Sequence, residues 1–298
     1  MDARSKAERL RELHHGSDPL LLVNAWDGVS ARLSEAEGFP AVATGSAGCA
    51  AVLGYPDGQR IPRAEMLFLA GAIARSVEVP VTADVEAGYD DPVGTALDLI
   101  RVGVVGLNLE DMSGQRLFSI AEAAGNVRAI RSAAIGAGVP MVINARTELY
   151  LAKHGDETTR FDRAVERLNA YFDAGADCLF ARGVTDAETI GRLVAALKGP
   201  LNILATVGTP PIEELRRLGV RRVSFGSGPS RVALGAYRRI VREIRTTGHL
   251  RRSRQRLYRI PRFRDCSPGA DKLNALTRLT RFERLEQKPG AARVRFHG

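Results

Sequence analysis

The chain has 298 residues, of which 45% are hydrophobic and 26% charged, a composition typical of globular proteins. No segment approaches the roughly 20 apolar residues needed to span a bilayer, and the charged N-terminal segment lacks the apolar core of a signal peptide, so we expect neither a membrane nor a secreted protein. The net charge of +9 is concentrated in residues 250–298, which hold 14 Lys and Arg against 4 Asp and Glu, so it does not predict a nucleic-acid-binding body.

Short apolar segments rich in Val, Ile and Leu alternate with amphipathic segments after a charged N-terminal helix start. Such runs are typical of parallel strands covered on both faces. The predicted strands are residues 20–25, 41–45, 79–85, 104–110, 140–146, 178–182, 201–206 and 222–226. The predicted helices are residues 29–37, 63–76, 92–102, 120–136, 160–174, 187–196, 211–218 and 230–245.

Eight strands that each precede a helix, over about 230 residues, match the size and order of a (β/α)8 barrel. The alternative is a doubly wound sheet, which usually has fewer strands and a Gly-rich turn after its first strand. Here the first predicted strand runs into NAWDG, with no GxGxxG. We therefore predict an α/β fold, a (β/α)8 TIM-type barrel, in residues 1–249.

The strand–helix alternation stops after residue 250. We predict that residues 250–298 form a basic C-terminal extension, either weakly ordered or an oligomer arm, with a short amphipathic helix possible at residues 273–285. A nucleic-acid contact through residues 251–264 is the third alternative, and we do not expect it because charge runs near termini are usually solvated.

Acidic residues follow two neighbouring predicted strands, where a barrel of this type carries its active site. Asp84 and Glu86 end the third strand and Glu110 ends the fourth, while Asp57 lies in the preceding loop. Carboxylates that converge at one mouth repel each other unless a cation neutralises them, and oxygen ligands suit Mg²⁺ or Mn²⁺. The alternative is that these acids cap helices or pair with Lys and Arg at the rim.

Other polar residues at the strand ends are candidates for binding a substrate. Arg146 ends the fifth strand, and its planar guanidinium suits a carboxylate; the alternative is a structural ion pair with Glu148 or with one of the acids. Asn108 and Asn144 occupy the ends of the fourth and fifth strands, and the small-residue segment 45–48 offers backbone N–H groups.

Taken together and in this order, several motifs resemble the isocitrate lyase/phosphoenolpyruvate mutase superfamily. The motifs are NAWDGVSARL, TGSAG followed by LGYPDG, PVTADVEAGYD, GLNLED, NARTELYL and AGADCLF, and the resemblance covers about residues 20–245. It implies an α/β barrel and oligomers, often tetramers with swapped C-terminal helices. The chain looks most like the phosphonomutase-like branch.

The resemblance also implies roles for individual residues. Asp84 would hold Mg²⁺ directly, with Asp57, Glu86 and Glu110 acting largely through water, and Arg146 would bind the substrate carboxylate. Substrate-binding positions are implied at Trp26 in the first motif and, through backbone groups, at three residues of the second motif: Gly45, Ser46 and Ala47.

The chain departs from the lyase branch in the loop after the fourth strand. Lyases of the superfamily carry a KRCGH-like loop there, whereas this chain reads EDMSGQR, with no Cys and no His. We predict that residues 110–118 close over the substrate and that Arg116 covers it electrostatically. Arg182 follows the sixth strand, where lyases commonly have Glu.

These residues predict a Mg²⁺-dependent lyase or mutase that makes or breaks a C–C or C–P bond next to a 2-oxo carboxylate through an enolate, as an oxaloacetate decarboxylase or a small oxo-acid lyase does. The alternatives are a phosphoenolpyruvate mutase or phosphonopyruvate hydrolase, and a catalytically silent ligand-binding barrel. We expect a homo-oligomer, a dimer or tetramer, that binds a small 2-oxo acid or phosphonate. Three widely spaced cysteines without CxxC spacing predict a cytoplasmic protein.

Overall fold

The computed structural model describes residues 1–249, and these form a closed parallel barrel surrounded by helices. The predicted basic extension of residues 250–298, including its possible helix and nucleic-acid contact, lies outside the described residues. The barrel strands are β1 (Leu20–Leu22), β2 (Asn24–Ala25), β3 (Val42–Thr44), β4 (Val81–Asp84), β5 (Gly106–Glu110), β8 (Val142–Thr147), β9 (Cys178–Ala181), β10 (Leu201–Leu204) and β11 (Arg222–Ser224). A separate antiparallel hairpin consists of β6 (Met112–Ser113) and β7 (Arg116–Leu117).

The described helices include the eight that follow the barrel strands and two more. They are α1 (Ala3–Leu13), α2 (Gly28–Ala36), α3 (Ser46–Val52), α4 (Arg63–Ser76), α5 (Pro92–Arg101), α6 (Ile120–Gly136), α7 (Glu157–Asp173), α8 (Ala187–Ala196), α9 (Ile212–Leu218) and α10 (Gly228–Thr247). The predicted (β/α)8 barrel is confirmed, and the doubly wound sheet was wrong because the sheet closes on itself. Sequence reasoning missed α3 and the hairpin, which are too short for a periodic apolar pattern.

The first predicted strand is divided in two, and the division closes the barrel. β1 pairs with β11 and β2 pairs with β3, in parallel in both cases. The side chain of Asn24 links the strands on both sides of this division. Its oxygen accepts hydrogen bonds from the N–H groups of Phe225 (2.9 Å) and Gly226 (2.7 Å), and its nitrogen donates to the carbonyl of Thr44 (2.8 Å). Polar groups buried at the junction of two strands are thus satisfied by one amide.

Several surrounding helices begin at a side-chain cap. The cap carboxylate or hydroxyl accepts a backbone N–H two or three residues later, satisfying one of the donors that lacks a partner at a helix start. These caps are Asp27, Asp91, Ser119, Asp156 and Asp186. They fix where each helix starts after its loop, and the main apolar core fills the space between these helices and the outer faces of the strands.

Helix α1 covers the N-terminal mouth of the barrel. Its buried Ala7 and Leu10 pack with apolar residues of the barrel interior in a second cluster. Gly106 is required here because a Cβ at that position would lie 2.8 Å from Cδ2 of Leu10. The Nε of Arg11 also pairs with Oδ1 of Asp177 at 2.8 Å. The N-terminal mouth is therefore closed, which leaves the opposite mouth for ligands.

Helix α10 differs from the other barrel helices because most of its side chains are exposed. Its apolar residues include Tyr237, 64% exposed, and others between 38% and 73% exposed, namely Val232, Leu234, Ile240, Val241 and Ile244. An exposed apolar stripe of this size is typical of a surface that contacts another protein. In the described part of the chain, no helix is both long and apolar enough to cross a membrane.

Candidate active site

The C-terminal mouth of the barrel brings together carboxylates and a guanidinium from adjacent strands. Parallel register places Asp84 of β4 beside Asn108 of β5, and Glu110 of β5 beside Arg146 of β8. Residues two apart on a strand share a face, so Glu110 and Arg146 lie one layer above Asn108 in the barrel interior. The predicted grouping of Asp84, Glu110 and Arg146 is observed.

Arg146 is the centre of this group and is only 3% exposed. Its Nη1 lies 2.7 Å from Oε1 of Glu110 and 3.8 Å from Oδ2 of Asp84, and its Nε donates to Oε1 of Glu148. Its Nη2 is buried and has no hydrogen-bond partner. The ion pair with Glu148, the alternative left open by the sequence, is therefore present, and the guanidinium still carries an unused donor.

Glu148 was missed as a site residue and is held rigidly. It is 3% exposed, and its N–H donates to Oδ1 of Asp111 at 3.0 Å. Asp111 is itself buried, and its Oδ2 accepts from the hydroxyls of Thr147 and Tyr171, both at 2.8 Å, and from Nη1 of Arg167 at 3.2 Å. Asp111 thus anchors the backbone of Glu148, whose carboxylate accepts from Nε of Arg146 and orients the guanidinium.

Asp84 is buried and bridges β4 to the start of α3. The hydroxyl of Ser46 donates to its Oδ2 at 3.2 Å, and its own N–H donates to the hydroxyl of Thr44 at 3.0 Å. The small-residue segment that begins at Gly45 forms the first turn of α3, with Gly45 at its N-cap. Ser46 therefore reaches the acidic group directly, and Gly45 and Ala47 flank it.

Glu86 does not continue β4, contrary to the extended geometry predicted for it. β4 ends at Asp84, and Glu86 has a left-handed backbone (φ 53°), with its N–H donating to Oδ1 of Asp84 at 3.4 Å. Its Oε1 is buried without a partner. Burial, followed by the negative charges of Asp84 and Asp57, raises the pKa of Glu86 to about 7. A carboxyl with such a pKa can exchange a proton near neutral pH.

Glu110 is also largely withdrawn from solvent, with its side chain 13% exposed. Burial raises the pKa of Glu110 well above its ordinary value, and the adjacent Arg146 opposes this rise. Asp57 lies on an exposed loop, and its charge contributes to the raised pKa of Glu86. In the same loop, Oε1 of Gln59 accepts the N–H of Ala87 at 3.3 Å, which ties that loop to the mouth.

The acids do not form a closed cage of direct metal ligands. Among residues 1–249, no three His, Cys, Asp or Glu side chains are placed to hold one ion directly. This is compatible with the predicted arrangement, in which Asp84 alone holds the cation directly, and Arg146 engages Glu110 while the backbone of Glu86 turns away from the strand. The arrangement suits an ion with one or two protein ligands and several waters, the coordination typical of Mg²⁺.

Asn108 and Asn144 lie beneath the mouth, not at its surface. Their side chains are 5% and 0% exposed, and Nδ2 of Asn144 donates to Oδ1 of Asn108 at 2.8 Å. In this structure both side chains lie below the acidic group, so their placement favours a supporting role and not the predicted contact with substrate. Trp26 follows β2 and packs beside α3, since a Cβ on Gly48 would lie 3.2 Å from Cβ of Trp26.

Arg116 lies at the surface and not over the mouth. It is on β7, its side chain is 63% exposed, and its two terminal nitrogens donate to both carboxylate oxygens of Glu122 at 2.8 and 3.0 Å. Its guanidinium also lies 4.5 Å from the ring of Phe118. The predicted covering role would require this surface pair to break. Arg182 lies closer to the site, with Nη1 3.8 Å from Oε2 of Glu148.

Comparison with known proteins adds evidence independent of this geometry. Residues 10–245 match the family model for phosphoenolpyruvate phosphomutase. An uncharacterized protein of Mycobacterium tuberculosis is 36% identical over 244 residues, which cover 81% of this chain and 91% of that protein. More distant relatives include enzymes named phosphoenolpyruvate phosphomutase, 2-methylisocitrate lyase and oxaloacetate decarboxylase.

Solved structures agree with the fold. A protein of Burkholderia cenocepacia, provisionally described as a phosphonomutase, has a TM-score of 0.76 and 37% identity, covering 80% of this chain and 99% of that one. Oxaloacetate acetylhydrolase in complex with its product oxalate has a TM-score of 0.76 and 28% identity, covering 84% of this chain and 90% of that one.

Proposed function

Because the chain belongs to the phosphoenolpyruvate phosphomutase family, within the lyases and mutases of the isocitrate lyase/phosphoenolpyruvate mutase superfamily, we propose that it is a Mg²⁺-dependent enzyme that makes or breaks a C–C or C–P bond next to a 2-oxo carboxylate. The observation that carries this proposal is the unused Nη2 donor of buried Arg146, set among carboxylates at the mouth. A small oxo-acid lyase or decarboxylase is the form that we favour.

The residues present fit a Mg²⁺ ion. The donor set is made of carboxylate oxygens, and the buried Oε1 of Glu86 has no partner that would satisfy it. Asp84 would hold the ion, with Asp57, Glu86 and Glu110 acting largely through water; Mn²⁺ offers the same preferences. When bound, the cation supplies Lewis-acid stabilisation of the negative charge that develops in the reaction.

The protein's own residues would bind and orient the substrate. Nη2 of Arg146 donates to the substrate carboxylate, and Glu148 keeps the guanidinium plane fixed, so that the scissile bond is aligned with the carbonyl for enolate formation. Ser46, with Gly45 and Ala47 beside it, places a hydroxyl and backbone N–H groups next to the oxo group. Glu86 holds or releases a proton near neutral pH.

A substrate screen tests this proposal. The protein is incubated with small 2-oxo acids and phosphonates, with and without Mg²⁺, and pyruvate production is measured. We expect turnover that requires Mg²⁺ and is lost in Asp84→Asn, whereas the matched variant of a neighbouring exposed residue, Asp90→Asn, keeps it. Full Mg²⁺-dependent activity in Asp84→Asn would contradict the proposed site.

The same screen separates the alternatives. Rearrangement or hydrolysis of phosphonopyruvate, followed by phosphorus NMR, would indicate a phosphoenolpyruvate mutase or phosphonopyruvate hydrolase. Binding of oxalate with Mg²⁺, measured by isothermal titration, without turnover of any oxo acid would indicate a silent ligand-binding barrel.

We also propose that the protein is a homo-oligomer, a dimer or tetramer, located in the cytoplasm. The support for an oligomer is the exposed apolar stripe of α10, and the support for the location is that Cys49 and Cys178 are free and buried. Light scattering tests the first point: a monomer at micromolar concentration would contradict it.

A further inference from the structure

Arg222 is a fully buried guanidinium inside the barrel that the proposed chemistry does not use. It lies on β11 and is 0% exposed. Its Nη2 donates to Oδ1 of Asn108 at 2.9 Å, its Nη1 lies 3.4 Å from Nε2 of His14, and its Nε has no hydrogen-bond partner. A charge in such a position is costly unless something compensates it.

The groups that contact Arg222 are neutral. Nδ1 of His14 lies 2.7 Å from the carbonyl of Leu10 and donates to it, which leaves Nε2 as the acceptor that faces Arg222. Burial, with the charge of Arg222, lowers the pKa of His14 to about 3, so this imidazole is uncharged at physiological pH. Within residues 1–249, no carboxylate forms a salt bridge with Arg222.

Arg222 is linked to the acidic group at the mouth through Asn108. Asn108, which accepts from Arg222, is the strand neighbour of Asp84 in register and also contacts Asn144. Adjacent strands are about 4.8 Å apart, so the guanidinium lies beneath the acidic mouth with one side chain between them. Asp84 is the acidic residue whose charge acts on Arg222.

The mouth itself combines four carboxyl groups with two guanidiniums. The carboxyl groups belong to Asp84, Glu86, Glu110 and Glu148, and the guanidiniums belong to Arg146 and Arg182. A divalent cation and Arg146 would offset one anionic group of a substrate, and a second anionic group would add further negative charge to the site. A cation in the barrel interior offsets it without occupying space in the site.

We propose that Arg222 is a positioning residue that sets the charge of the site from below, favouring a doubly anionic ligand over the metal-only state; this rests on the proposed function. Its positive charge attracts the anion and repels the divalent cation, so its removal has opposite effects on the two ligands. A merely structural role would weaken both.

Isothermal titration of the full chain tests this with Mg²⁺ alone and then with oxalate at saturating Mg²⁺. For Arg222→Met we expect oxalate binding to weaken and Mg²⁺ binding to tighten, each by about tenfold or more, because loss of one positive charge acts with opposite sign on a dianion and on a dication at an effective dielectric constant of about 20. Arg222→Lys, which keeps the charge, should restore both affinities. Weakening of both ligands in Arg222→Met, or no difference between the Met and Lys variants, would overturn the proposal.

A second experiment neutralises the positive charge of Arg222 without replacing Arg222 itself. Cys178 is fully buried and interacts electrostatically with Arg222, so Cys178→Asp provides a buried partner, with Cys178→Asn as its matched control. We expect the Asp variant to reproduce the opposite shifts and the Asn variant to bind as the parent does. Equal effects of Asp and Asn would overturn the inference, whereas a parent chain that binds neither Mg²⁺ nor oxalate would refute the proposed function as well.

Discussion

Replacing Asp111 with Asn removes the buried negative charge that holds together the C-terminal ends of β5 and β8. The carboxylate accepts hydrogen bonds from three side chains and from the N–H of Glu148, and pairs with Arg167, which is 7% exposed. Breaking a buried ion pair by removing one partner costs about 3–5 kcal/mol, since it leaves an uncompensated buried charge. We expect the free energy of unfolding of Asp111→Asn to fall by that amount.

Urea denaturation, monitored by circular dichroism, measures this loss. The matched control is Asp173→Asn, which removes an exposed carboxylate paired with Lys198 at 2.6 Å; exposed pairs contribute about 0–1 kcal/mol. In the double variant Asp111→Asn/Arg167→Met, the loss should be smaller than the sum of the single losses, because the stranded guanidinium is gone. A loss below about 1 kcal/mol in Asp111→Asn, or strict additivity in the double variant, would refute this reasoning.

Three further predictions concern the site and the barrel interior. Arg146→Lys should weaken oxalate binding by about 2 kcal/mol, since it loses a charge-assisted hydrogen bond; isothermal titration with unchanged affinity would contradict this. The pKa of Glu86 is raised to about 7 in the folded protein. Protonation of Glu86 therefore stabilises the metal-free fold, fully so below the ordinary pKa of a glutamate, and this stability is lost as the pH rises through about 7. Mg²⁺ binding should weaken as the pH falls below 7, because binding releases a proton from Glu86. Calorimetric titrations in buffers of different ionisation enthalpy measure this proton release, and Glu86→Gln should remove the pH dependence of Mg²⁺ binding. Gly106→Ala should lower the apparent melting temperature, since its Cβ would lie 2.8 Å from Leu10 and overpacking costs about 1–3 kcal/mol, whereas Gly125→Ala, which meets open space on α6, should not.

The sequence predicted the barrel and the acidic mouth because both follow from repeated local patterns. Eight apolar runs followed by amphipathic segments determine the alternation, and strand-end residues of a parallel barrel meet at one edge. The alternation of side chains along a strand also places Asn108 and Asn144 beneath Glu110 and Arg146. The sequence therefore allows the supporting residues to be distinguished from those at the mouth.

Other features depended on backbone conformation and partners that no local pattern specifies. The left-handed backbone of Glu86 redirects a carboxylate that period-2 alternation aligned with Asp84. The pairing of Arg116 with Glu122 depends on where the hairpin packs against α6. The anchoring of Glu148 by Asp111 joins residues 37 positions apart, and only the closed barrel brings them together.

The helix that covers the N-terminal mouth has a consequence for biosynthesis. α1 leaves the ribosome before the barrel strands, yet Arg11 pairs with a residue 166 positions later and His14 contacts one 208 positions later. Contacts of such separation form only after the intervening chain is made and its loop entropy is overcome. α1 is therefore synthesised before the barrel but docks late, and until it does, the nascent chain exposes an open apolar mouth that chaperones can bind.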